Sequence, residues 1–285
     1  MSSTVTPLHT TTSSETGRPE RSGRFGRPYV LAAAAFAILA PLVQGLTGWG
    51  LDQAEFAARG NATLRVEGYA FAIWGPIYLG LIAYAVRQTL PGSDPTGLLA
   101  RLYWPSAATL VGIGLWIIVA AMGLQTASVI VIFASLLTLL SALLIHGHSV
   151  AAVSPFSVER LLIVWPLAAL AGWLTAAAPL NMVSAATATG AIAAGPASTG
   201  WALLAAGAAA ACGLFGAWRL GTLAYPLPIA WGLIGAFVAE QPRNATLAFS
   251  ALGFAILLIV ASVVIVFGLK RPHADAEADT GAESR

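Results

Sequence analysis

Long apolar runs broken by short polar stretches dominate the chain. Eight of them predict helical spans at 28 to 48, 68 to 88, 102 to 122, 126 to 146, 161 to 183, 200 to 218, 222 to 239 and 245 to 269. Several exceed the roughly 18 residues that a helix needs to cross a ~30 Å hydrocarbon layer. None alternates apolar and polar positions with the period of a barrel strand. The expected fold class is therefore all-α, a polytopic integral membrane helical bundle of about eight transmembrane helices. The seventh span is the shortest case, with Pro226 and Pro228 near its start. Two longer connections remain, 49–67, polar and modestly amphipathic, and 184–199, rich in small residues.

Composition agrees with this reading. Of 285 residues, 58% are hydrophobic and 9% charged, with a mean hydropathy of +0.79, where soluble domains carry about 25% charged residues. The first apolar run follows a polar, Ser/Thr-rich segment ending in Arg18, Arg21, Arg24 and Arg27. No cleavage-site pattern follows that run, so it is read as a retained helix. Residues 1–27 and 270–285 are expected to be disordered polar tails. With eight spans and both termini inside, Arg87, Arg101, Arg160, Arg219, Lys270 and Arg271 join the N-terminal cluster on the cytoplasmic side. Arg59, Arg65 and Arg243 fall outside, which satisfies the positive-inside rule. The Ala/Gly/Arg bias suggests a bacterial inner membrane. Basic residues sit at segment ends and form no stripe, so nucleic acid is not an expected partner.

Ionisable residues are missing from mid-span positions, which disfavours a proton-driven transporter. Glu159, Arg160, His146, His148, Arg219 and Glu240 lie at span ends, where snorkelling or interfacial placement accounts for them. His146 and His148 offer at most two ligands, and no zinc, nucleophile-elbow or phosphate-loop motif occurs. No metal site is expected. The single Cys212 reads as a small packing residue.

The remaining chemistry is aromatic. Trp49, Trp104, Trp165 and Trp201 fall near span edges as belt residues. Phe71, Trp74 and Tyr78 share a helical face in the second span, and Trp173, Ala177, Leu180 and Asn181 share one in the fifth. Trp116 lies in the third span between Gly112 and Ala120, a narrow face that admits a neighbouring helix. Such a cluster suits either helix packing or binding of a flat apolar ligand.

The stretch "GWLTAAAPLN", residues 172–181, resembles the fifth-helix signature W-x-x-x-A-x-x-L-N of the tryptophan-rich sensory protein family, also called translocator or TspO/MBR proteins. It matches at Trp173, Ala177, Leu180 and Asn181. The second span, "GYAFAIWGPIYLGLIAY", resembles that family's G-W-x-F-x-P-x-W-x-x-L-Y stretch through Gly68, Tyr69, Phe71, Trp74 and Tyr78. Ile113 stands where the family has Asn before the Trp of its third helix. The resemblance implies a five-helix bundle over 28–183, a 184–199 loop and a three-helix extension over 200–269 like that of longer bacterial relatives. It also implies a binding or sensory protein for a porphyrin or related tetrapyrrole, with haem or porphyrin as ligand rather than resident cofactor. The implied ligand-binding residues are Tyr69, Phe71, Trp74, Tyr78, Trp173 and Asn181, with Trp116 as a further wall. Breakdown of protoporphyrin, known in the family, would fall to Trp74 and Trp173, but the chain is not expected to be an enzyme. Membrane lipid and a second copy of the chain are the other expected partners. The alternatives are an ion-gradient-independent carrier for a small apolar or lipid-like solute, and a structural membrane subunit.

Overall fold

The computed structural model describes residues 27–59, 63–90, 94, 96–193 and 196–268. The two tails lie outside these residues, apart from Arg27. Among the described residues there is no strand. The helices are α1 (Arg27–Thr47), α2 (Gln53–Ala58), α3 (Trp74–Thr89), α4 (Leu98–Ala121), α5 (Gln125–Ile145), α6 (Gly147–Ala152), α7 (Trp165–Ala188), α8 (Pro196–Leu220), α9 (Pro226–Glu240) and α10 (Ala245–Val263). A 3-10 stretch, Gly68–Ile73, leads into α3, and a π turn, Arg160–Val164, leads into α7.

Seven of the helical stretches are long and apolar enough to cross a membrane, so the protein is a multi-pass membrane protein. The seventh expected span, α9, falls short: 15 residues at ~1.5 Å each reach only about 22 Å. Together with the 221–225 turn before it, α9 links the two ends of the bundle. Gly221, just before it, receives Arg160 from the start of the α7 segment, and Glu240 at its last turn receives the backbone of Arg65 near the start of α3. The expected 184–199 loop is also shorter, because α7 continues to Ala188 and α8 begins at Pro196. Small residues and an internal Pro179 misled the boundary. A proline inside a helix removes one hydrogen bond, and close packing of the surrounding helix can offset that loss.

Helices α1, α3, α7, α5 and α4 form a closed ring, each packed on the next and α4 back on α1. The contacts follow from small residues facing large ones. Ser135 of α5 occupies the place a side chain at Gly112 of α4 would need, and Phe36 of α1 does the same at Gly114. Tyr84 and Ser106 join α3 to α4 through a buried 2.6 Å hydrogen bond. Helix α7 is the centre: 72% of its apolar window is buried, against 22% for α1 and α10, as expected of a helix apolar on every side. Helices α8, α9 and α10 pack together, and α8 and α9 lean on the outer face of α7. Trp49, Trp104, Trp165 and Trp201 are all exposed.

Candidate functional site

A cavity of about 60 Å³ lies inside the ring at the end where α2 and the 63–67 segment cross it. Its side walls come from α3, α4, α5 and α7, and α9 adds Gly232. Local sequence explains how each wall is presented. Pro76 sits in the first turn of α3, where its missing N–H costs nothing; the chain before it tightens into the 3-10 stretch that carries Phe71, and Trp74 opens the α-helix. Helix α2 is started by a capping box: Asp52 Oδ1 accepts from Glu55 N at 2.7 Å, and Glu55 Oε2 accepts from Asp52 N at 2.9 Å. That short helix then drops Phe56 onto Trp116, edge to face at 6.0 Å.

Of the residues named from the sequence, Phe71, Trp74, Trp116, Trp173 and Asn181 line this cavity. Trp173 is met nearly perpendicularly by both Phe71, at 6.3 Å, and Trp74, at 6.2 Å. These are the edge-to-face geometries that aromatic quadrupoles favour. Tyr78 stacks on Trp74 at 5.1 Å from the side away from the cavity. Tyr69 lies outside it, 43% exposed and edge-on to Trp231 of α9. The helical face carrying Trp173, Ala177, Leu180 and Asn181 does point inward. Asn181 is buried and pairs with Ser128 of α5, its Nδ2 donating at 3.1 Å.

Two indole N–H groups, on Trp74 and Trp116, are buried without a hydrogen-bond partner. Leaving such a donor unmet costs of order 1–3 kcal/mol each, so the site is polar-hungry within an otherwise apolar lining. Gly232 lets α9 approach α7 closely beside Trp173, since a Cβ there would stand 3.2 Å from the Ala176 Cβ.

The roof was not apparent in the sequence. Phe56, Leu64, Arg65 and Val66 all line the cavity; the modest amphipathic character of 49–67 and the Asp52–Glu55 capping spacing were the available signals of structure there, and neither points to a roof. Leu64 is 1% exposed and holds a left-handed backbone, φ +68°, a conformation that costs a non-glycine residue about 1–3 kcal/mol. His146 and His148 lie at the opposite end, at the α5–α6 junction, and no cluster of three metal-ligating side chains occurs among the described residues. Arg160 does not snorkel. It is buried, its Nη1 donating to the Val150 and Val153 carbonyls at 2.9 and 3.0 Å and its Nη2 to Gly221 O.

The five-helix ring with an aromatic cavity under an N-terminal crossing segment agrees with a sequence-family comparison, in which residues 29–264 match the TSPO-like protein family. The chain belongs to that family. No curated protein and no solved structure matches it. The TSPO-like match runs beyond α7 through α8 and α9 and to the end of α10, so the three-helix extension lies within the family region and is not an appendage to it. Membership places this TSPO-like protein among membrane sensory and binding proteins.

Proposed function

We propose that this TSPO-like protein binds a flat apolar ligand bearing hydrogen-bond acceptors, a porphyrin or related tetrapyrrole, between α3, α4 and α7. The observation that supports it most is the meeting of Phe71, Trp74 and Trp173 at right angles beside two unpartnered indole N–H groups. Flat aromatic walls take a planar ring, and the N–H groups take its carbonyl or carboxylate oxygens. Arg65 lines the roof end of the same cavity. At about 60 Å³ the cavity is well below the roughly 300–1,000 Å³ of ligand pockets, so a tetrapyrrole is accommodated only as the roof or walls yield. The role proposed is binding and signalling in a bacterial inner membrane with both termini inside, without catalysis, the protein acting alone or as a homodimer.

Protoporphyrin titrated into the purified protein should quench Trp fluorescence saturably. Trp173→Ala should weaken that binding tenfold or more, while the exposed Trp165→Ala should leave it unchanged. Equal affinity in all three proteins would rule out this cavity.

A second reading has one observation in its favour. An outward-facing groove of about 950 Å³ runs between α3, α7 and α9, past Pro76, Gly80, Trp165, Pro166 and Trp231. A carrier for an apolar solute would use it, and uptake into proteoliposomes without an ion gradient would be its sign. No uptake of any apolar solute class would remove that reading.

A further inference from the structure

The roof segment 63–67 is held from one side. Thr63 Oγ1 lies 2.7 Å from Ser198 Oγ at the start of α8. The Arg65 N–H donates to Glu240 Oε1 at 2.8 Å, and the Glu67 N–H to the Gly235 carbonyl at 3.2 Å, both on α9. Just beyond, Trp231 Nε1 donates to the Ala70 carbonyl at 2.8 Å. Gly235 makes the approach possible, because a Cβ there would come within 2.8 Å of both Ala70 and Val66. The left-handed Leu64 sits between two of these ties, so its unfavourable backbone is imposed by its neighbours.

Glu240 is the best placed of the fastenings. Its carboxylate is buried, 1% exposed, with Arg243 Nη1 3.5 Å from the same oxygen that receives Arg65. Its own carbonyl accepts the N–H groups of Arg243 and Asn244, at 2.9 and 2.7 Å, which fixes the end of α9. A buried carboxylate held by a cation and a backbone N–H is a strong, directional acceptor.

We infer that α8 and α9 strap the roof of the cavity from one side and that Glu240 is the latch. Glu240 is a positioning residue: it holds the Leu64 roof closed through the Arg65 backbone, and access of ligand to the cavity from this end requires that bond to part. The inference rests on the cavity being a ligand site, but the latch has a readout of its own.

Hydrogen exchange of the full-length protein in nanodiscs supplies that readout, with protoporphyrin association rates as the second measurement. Glu240→Ala removes the acceptor and should raise exchange at Arg65 and Glu67 at least tenfold while α4 and α7 stay protected. Glu240→Gln keeps an acceptor oxygen for Arg65 and should restore most of the protection. Ser198→Ala, which frees Thr63, should loosen the roof in the same direction by a smaller factor. Protoporphyrin should associate several-fold faster with Glu240→Ala than with the unaltered protein. Unchanged exchange at 63–67 in Glu240→Ala would overturn the latch. So would loss of protection throughout α4 and α7 in both Glu240→Ala and Ser198→Ala, because Glu240 would then hold the fold and not the roof. If protoporphyrin fails to bind the unaltered protein, the ligand reading falls while the exchange result still decides the latch.

Discussion

Asn181 shows what a single polar residue does in this interior. Its amide meets the Ser128 hydroxyl across the α5–α7 contact, so the pair satisfies itself and leaves the cavity's unmet donors to the indoles. Hydrogen bonds between membrane helices contribute modestly, about 0.6 kcal/mol on average and less than 2 at most. Asn181→Ala and Ser128→Ala should each lower stability by about 1 kcal/mol, and the double variant by little more than either. Reversible unfolding in mixed micelles measures that cycle; strictly additive losses would mean the two side chains act separately. The inward face of Trp173, Ala177, Leu180 and Asn181 was readable from spacing alone, because a helix repeats every 3.6 residues. Tyr78 followed the same spacing logic and Tyr69 the family resemblance, and both lie outside the cavity lining. The 3-10 stretch changes the angular step before Trp74, and α9 gives Tyr69 a partner of its own, Trp231.

Within the elements, α7 carries the most. Its window is the most buried, and at Gly172 it receives the Tyr225 carbonyl so closely that a Cβ would overlap it. Tyr225 is itself fully buried, its hydroxyl 2.8 Å from Thr175 Oγ1. Gly221, Thr222 and Tyr225 of the non-helical 221–225 turn are buried, a setting in which irregular backbone is tolerated at membrane depth. Gly172→Ala should lower stability by about 1–3 kcal/mol through overpacking, visible as a lower melting temperature in detergent; an unchanged melting temperature would contradict so close an approach. The pattern of apolar runs located the long helices to within a few residues. It placed the end of α7 too early and left residues 63–67 inside a polar, modestly amphipathic loop, because a short polar segment carries no periodicity to show that it is pinned.

For the whole molecule, the question is how ring and extension become one body. Arg160 supplies part of the answer at the end opposite the roof, where one guanidinium gathers carbonyls from α6, from Val153 just beyond it, and from the α8–α9 turn. A planar five-donor fork can do this and an ammonium cannot. Arg160→Lys should cost about 2–3 kcal/mol, as loss of hydrogen bonds to a charged group does, whereas the exposed Arg101→Lys should shift stability by less than about 0.5 kcal/mol. Chemical denaturation of both variants tests the contrast, and equal losses would remove the special role of Arg160.

Hydrophobic length was enough to establish a helical multi-pass protein and its approximate spans, helical periodicity the inward face of the fifth span, and the motifs on the second and fifth spans the family. These are local properties, set by the cost of placing backbone and charge in hydrocarbon. That Leu64 and Arg65 roof a cavity, that Gly232 helps wall it, and that Glu240 reaches Arg65 across a separation of 175 residues depended on how α9 docks against α7. Docking is decided by close packing of many small and large side chains at once, and no stretch of the chain read alone contains it.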